Sequence, residues 1–264
     1  MTKLAIGIDL HRCIGCNTCS IACKMQNNVP MGMLWNRVLT EDCDIMDGAV
    51  GTYPNLSRNY LPVACQHCEN APCIKAAEND AVYRREDGLV IIDPEKAKGQ
   101  EQIVKACPYG KIFWNEELEI PQKCTGCAHL LDDEDAPISV PRCVDNCPVH
   151  VIEFGELDEL DLEGAEVLHP EYGTKPHVYY KGLPKKFIAG TVFTPADEEI
   201  VEGATVTVTN GTETYTDTTN SWGDFWVDEL AEDEWTVTIE GAGKEKTLKV
   251  STVEEDRGLG DIAL

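Results

Sequence analysis

Twelve of the thirteen cysteines in this 264-residue chain fall into ordered groups ending at Cys147, while residues 187–264 have neither cysteine nor histidine and break into short alternating apolar runs. A third observation lies between the first two cysteine groups, where residues 27–60 form a long irregular stretch marked by Pro30, Gly32, Gly48, Gly51 and Pro54. Together they predict an α+β chain. Two nested cysteine-bound units should occupy 1–156 with an insertion at 27–60, followed by a connector at 157–186 and a small all-β sandwich over 187–264.

The first group, Cys13-x2-Cys16-x2-Cys19-x3-Cys23, has the spacing with which bacterial ferredoxins hold a 4Fe-4S cubane by its thiolates. Its loop carries Gly15, so three thiols can point at one small cage, and so tight a run does not suit a disulfide framework. Then come Cys65-x2-Cys68-x4-Cys73, Cys107-Pro108, Cys124-x2-Cys127 and Cys143-x3-Cys147-Pro148. In two-cluster ferredoxins the fourth cysteine of each run, usually followed by proline, ligates the other cluster. Applied here, that crossing groups Cys13, Cys16 and Cys19 with Cys147, and Cys124, Cys127 and Cys143 with Cys23.

The middle of the chain tests the crossing, because four cysteines are missing from it. Continuing the second group by x3 reaches Ala77-Glu78 where Cys-Pro is due, and counting back from Cys107 reaches Ile103, Gln100 and Ala97. Under the crossing rule those four positions are the whole ligand set of one cluster. Cys65, Cys68, Cys73 and Cys107 are then the whole set of another. Were each run to bind its own cluster, a three-cysteine site and an orphan would be left. The coherent loss predicts three 4Fe-4S clusters, all in ferredoxin-like units, from a plan with room for four.

Forty-seven acidic against twenty-two basic residues give a net charge of -25, which repels phosphate and so opposes nucleic acid and anionic membranes. Most of these charges read as a solvated surface. No apolar stretch reaches membrane-spanning length. The first ten residues have neither a signal-length apolar core nor twin arginines, so the chain is expected in the cytoplasm, with export alongside a signal-bearing partner left open. Many thiols without a secretory signal point to metal.

In chain order, residues 3–9 alternate as a strand leading into the first loop. The insertion 27–60 reads equally as a partner surface or a plain excursion, and Cys43 within it as a free thiol. Residues 81–83 and 89–92 flank Asp87-Gly88 as a hairpin. Asp93 and Pro94 cap a helix expected over 95–106, filling the place of the missing cluster. Residues 112–114 and the run into Cys124 repeat the hairpin, and 151–154 form a strand. Residues 132–135 read as a solvated acidic loop. His67 and His129, beside ligand cysteines, read as hydrogen-bond donors or core rather than ligands; Lys123 and Arg142 either raise a cluster's potential or reach water. In 187–264, Asn210-Gly211 marks a hairpin, and Trp222, Phe225, Trp226 and Trp235 are expected in the sandwich core.

The cysteine plan resembles the iron-sulfur subunits of the dimethyl sulfoxide reductase family of molybdenum bis(pyranopterin) oxidoreductases. Cys68-Glu69-Asn70-Ala71-Pro72-Cys73, Ile92-Asp93-Pro94-Glu95-Lys96-Ala97-Lys98-Gly99, Cys107-Pro108-Tyr109-Gly110, Cys127-Ala128-His129-Leu130-Leu131-Asp132-Asp133-Glu134 and Gly173-Thr174-Lys175-Pro176 resemble the three-cluster small subunits of its hydroxyl-transferring members. That resemblance implies a heterodimer whose large partner binds molybdenum bis(molybdopterin guanine dinucleotide) and moves a hydroxyl between polyhydroxybenzenes. This chain would supply the electron-transfer wire, no catalytic residue, and a C-terminal sandwich of transthyretin or Cna-B type. Competing readings are the iron-sulfur subunit of a related enzyme such as a catechol dehydroxylase, and a stand-alone ferredoxin-like carrier, for which the insertion and sandwich are surplus surface. A zinc scaffold suits the Cys-Pro endings poorly.

Overall fold

The computed structural model describes residues 3–40, 50–52, 55–57, 60–133, 135, 138–183, 185–196, 199–253 and 256–264. Cys43 lies outside them. The chain divides into two units, Met1–Leu183 and Pro184–Leu264. Among the described residues no helix is long and apolar enough to cross a membrane.

In the first unit the strand Leu4–Asp9 pairs antiparallel with Ile152–Glu156 and parallel with Val178–Lys181. The β-branched side chains of Ile6 and Ile8 fall on one pleat face and are buried with Val151, Ile152, Val178 and Tyr180. Residues 157–183, expected as a connector, thus fold with the first unit, because Val178–Lys181 completes its sheet. Tyr180, fully buried, fixes that edge; its hydroxyl accepts from Gln66 Nε2 at 3.2 Å and donates to the Pro62 carbonyl at 3.2 Å. Part of the insertion is anchored too, since Arg37–Leu39 pairs with Leu61–Val63.

Two short hairpins frame the middle of the unit: Val82–Arg84 with Val90–Ile92, and Phe113–Asn115 with Ile120–Gln122. The helix expected over 95–106 is broken. Asp93 does cap, its Oδ1 accepting from the Glu95 and Lys96 amides at 3.0 and 3.1 Å. The turn stops at Gly99, which sits at φ +78° with its N–H on the Glu119 carbonyl, a conformation that ends a helix. Helix resumes only at Gln102–Lys105.

In the second unit two four-stranded sheets enclose one core. One has Glu199–Ile200, Lys186–Thr194 and Asp224–Leu230 in order, with Arg257–Ala263 also on Lys186–Thr194; the other runs Thr214–Thr218, Thr205–Thr209, Glu234–Gly241, Lys244–Ser251. Alternate residues of both sheets, among them Val192, Val206, Val208, Phe225, Val237 and Ile239, meet in that core. Trp235 lies in it with no exposed surface, its indole N–H on Thr252 Oγ1 at 2.9 Å. Two of the aromatics expected there lie elsewhere. Trp222 is 74 % exposed at the tip of a turn opened by Asn220, and Trp226 stacks on Phe187 on the outer face, because its neighbours Phe225 and Val227 take the inward pleat positions.

Candidate metal centres

Helical spacing distributes the thiols. Cys19 and Cys23 are one turn apart on the helix Thr18–Gln26, and Cys143 and Cys147 bear the same relation at the helix Arg142–Asp145. Of each pair, Cys19 and Cys147 line one cavity and Cys23 and Cys143 do not. Ahead of the first helix the loop curls through left-handed residues Gly15 and Asn17; a Cβ on Gly15 would fall 2.4 Å from the Tyr60 ring. Cys13, Cys16, Cys19 and Cys147 come together around a small cavity.

The middle of the chain repeats the device. Cys73 lies on the helix Pro72–Ala76 and Cys107 just beyond Gln102–Lys105. With Cys65 and Cys68 they line a second small cavity, walled by Ala71, Val90 and Ile112. One turn from each lie Ala77 and Ile103, and there no thiols converge. Ala77, Ala97 and Ile103 pack into the apolar cluster that also holds Cys68, Cys73 and Cys107, Ala97 and Ile103 being 0 % exposed. Gln100 closes this filled site, accepting from the Glu78 amide at 2.8 Å and donating to the Glu78 and Lys96 carbonyls at 3.2 and 2.8 Å. The four positions without cysteine thus come together, filled by protein even though the single long helix is absent.

Asn27 bridges Cys23 to Cys127, and the charges of Cys23, Cys124 and Cys143 act on one another. Burial and then Cys127 push the Cys23 thiol up to about 12. Burial and then Cys23 raise both Cys124 and Cys143 well above the ordinary thiol range. Asn27 Nδ2 reaches the sulfurs of Cys23 at 3.7 Å and Cys127 at 3.9 Å. The groups also sense one another, Cys124 through Cys65 and Cys143 through Cys19.

Burial raises eight of these thiols, and one is lowered. Burial lifts Cys19 and Cys73 to about 11 and Cys68 to about 12, with neighbouring thiols adding to it. Cys16, exposed, is lowered by the Thr18 hydroxyl 3.3 Å away. Backbone N–H groups support thiolate character, from His67 to Cys65 at 3.5 Å, Lys111 to Cys107 at 3.4 Å and Gly126 to Cys124 at 3.3 Å. Four buried thiols that repel one another ionise together only around a strongly cationic centre. A zinc ion draws its ligands to about 2.0–2.3 Å from one point, and no three His, Cys, Asp or Glu side chains among the described residues are gathered like that.

The residues flanking the thiols divide. His67, fully buried, uses Nδ1 to accept the Val90 amide at 3.0 Å, and His129 Nε2 lies 3.0 Å from Gln26. Arg142 pairs with Asp145 at 2.7 Å. Asp132 is not merely solvated: it forms a two-pronged pair with Arg85 at 2.6 and 2.7 Å. Two contributors lie outside the cysteine runs: Asn27, and Thr174 of the Gly173-Thr174-Lys175-Pro176 motif, whose hydroxyl lowers Cys68 and lies 2.6 Å from Tyr109.

Cysteine-lined cradles on paired short helices define an iron-sulfur protein, and likeness to known proteins agrees. Residues 56–157 match the 4Fe-4S dicluster domain family and residues 188–264 the carboxypeptidase regulatory-like domain family. A dimethyl sulfoxide reductase iron-sulfur subunit from Halobacterium salinarum is 41% identical over 68% of this chain and 79% of its own. A component of the anaerobic dimethyl sulfoxide reductase of Escherichia coli is 32% identical over 68% and 89%. The protein therefore belongs to the dimethyl sulfoxide reductase family of iron-sulfur subunits. Within that family, the pyrogallol hydroxytransferase small subunit of Pelobacter acidigallici is 40% identical over 100% of both chains.

Proposed function

We propose that this chain is the electron-transfer subunit of a heterodimeric molybdenum enzyme and holds three 4Fe-4S clusters: one on Cys13, Cys16, Cys19 and Cys147, one on Cys124, Cys127, Cys143 and Cys23, and one on Cys65, Cys68, Cys73 and Cys107. The observation that carries this reading is the pair of cavities, each lined by one complete crossed set of four thiols. When bound, such clusters supply one-electron transfer at potentials tuned by their surroundings. The chain's own residues exclude water from the sulfurs, donate N–H groups to them, and hold neighbouring sets one helical turn apart. The charge of Cys19 reaches Cys143 and that of Cys65 reaches Cys124, which supports the second set lying near both others.

In this reading a large partner holds molybdenum bis(molybdopterin guanine dinucleotide) and carries every bond-making residue. The reaction is that of a pyrogallol-phloroglucinol transhydroxylase, a hydroxyl transfer between polyhydroxybenzenes, and the end-to-end likeness to the Pelobacter acidigallici subunit supports it. A docked partner also accounts for apolar surface near the first set. Ile14, Ile21 and Met25, on the loop and helix that carry the exposed Cys16, are 56, 52 and 79 % exposed. The abundance of thiols fits the reducing cytoplasm, and the charge of -25 fits a protein partner rather than nucleic acid or membrane.

Anaerobic purification from native cells tests the reading. The chain is expected to elute with a much larger, molybdenum-containing partner, with iron and sulfide for three clusters and pyrogallol-dependent hydroxyl transfer. Elution alone, or iron for four clusters, overturns it.

A further inference from the structure

In a chain with 47 acidic and 22 basic residues, a basic group buried away from every carboxylate needs a cause. Lys123 is 2 % exposed. Its Nζ donates to the carbonyl oxygens of Val90 and Cys124, the second at 2.9 Å, and it has no carboxylate partner among the described residues. Taking an ammonium out of water costs more than two carbonyl dipoles return. An anion is missing from its surroundings.

Two thiol sets face it. Cys124, the next residue, belongs to the second set, and Val90 lines the cavity of the third. Neither carbonyl that Lys123 bonds belongs to a residue lining the cavity of the first set. The other basic groups nearby differ: His67 uses Nδ1 to accept the Val90 amide and so carries no proton there, and Arg84, which bonds the carbonyls of Cys68, Glu69 and Gly88, is only half-buried, so water screens its charge.

We infer that the Lys123 ammonium is the counter-charge shared by the second and third clusters, a positioning residue whose fixed charge raises the reduction potential of those two centres and leaves the first unmoved. This rests on the cluster assignment proposed above. A cubane bound by four thiolates is anionic and gains a further negative charge with each electron it accepts. A buried cation beside it therefore favours the reduced form, and weak screening at that depth keeps the effect large.

The test is an anaerobic potentiometric titration of the cluster-loaded complex, followed by electron paramagnetic resonance, in wild type, Lys123→Met, Lys123→Gln and Lys123→Arg. Glutamine keeps a hydrogen-bond donor without the charge. Both neutral variants are expected to shift the reduction equilibrium of two clusters at least tenfold toward the oxidised form, ~59 mV for one electron, with the remaining cluster unchanged and arginine close to wild type. If the neutral variants instead lose iron from those two sites while arginine stays loaded, the same need for charge is met at assembly. Unchanged potentials in replete neutral variants, an equal shift of all three clusters, or an arginine variant as impaired as methionine overturns the inference. Wild-type iron and sulfide for three clusters is read in the same preparations, so failure of the cluster assignment is seen separately.

Discussion

The cradle of Cys65, Cys68, Cys73 and Cys107 and the filled site of Ala77, Ala97, Gln100 and Ile103 are built on the same two short helices, one turn apart, yet hold opposite interiors. One gathers four thiols whose ionisation burial opposes; the other gathers three apolar side chains and one amide whose bonds go to backbone. The backbone device is indifferent to its contents. What decides is whether all four positions agree, because a partial thiol set would leave buried sulfurs with neither cation nor apolar partner. Loss of the whole set together is the physically stable alternative to keeping it.

Substitution on the two sides should therefore fail in different ways. Cys107→Ala is expected to have the largest effect, removing a full cluster's iron and sulfide while the other two persist, since metal binding at such a site is also folding energy. Iron and sulfide counts on anaerobically purified protein check this, and retention of iron for three clusters would break the comparison. On the filled side Ile103→Ala should cost about 3 kcal/mol of stability, as expected for truncating a buried isoleucine, without loss of iron. Thermal unfolding beside an iron count separates the two.

The thiol plan is legible because cluster chemistry imposes spacing on the chain itself: Cys19 and Cys23, or Cys143 and Cys147, must be one helical turn apart to serve two sites. The proposed crossing rests on counting and on the two cysteine-lined cavities. The sandwich is legible for a similar reason, since strands such as Thr205–Thr209 alternate with the pleat. What the sequence hides depends on contacts between distant segments. Composition favours a helix running across Gly99, but its left-handed turn is fixed by the Glu119 carbonyl twenty residues on. The connector reads as linker because the parallel partner of Val178–Lys181 is the strand Leu4–Asp9 at the other end of the unit. No pattern in the sequence marks Lys123 as buried.

A smaller effect refines the account of the filled site. Gln100→Ala removes the acceptor of the Glu78 amide, 2.8 Å away, and leaves that N–H facing the apolar cluster. The expected loss is about 1–3 kcal/mol, with iron unchanged, measured as in the isoleucine variant. Gln100→Glu keeps the acceptor but repels the carbonyls of Glu78 and Lys96, so it should recover little. Full recovery by glutamate would mean that the amide N–H bonds contribute nothing.

The smallest expected effect concerns pH and comes from a residue beside neither site's thiols. His177 is buried in the strand edge, its N–H on the Gln66 carbonyl at 2.9 Å and its own carbonyl accepting from Ile6 at 3.0 Å. Burial, then Lys3 and Arg84, hold its imidazole below the ordinary value of 6.5. The folded chain thus refuses a proton that the unfolded chain accepts, and the sign follows. Stability from His177 is fully present above about pH 6.5 and is lost as pH falls from there toward the depressed folded value. Tm measured between about pH 8 and about pH 5 should decline in wild type and decline less in His177→Gln. Equal slopes in the two proteins would remove His177 as a source of the acid sensitivity.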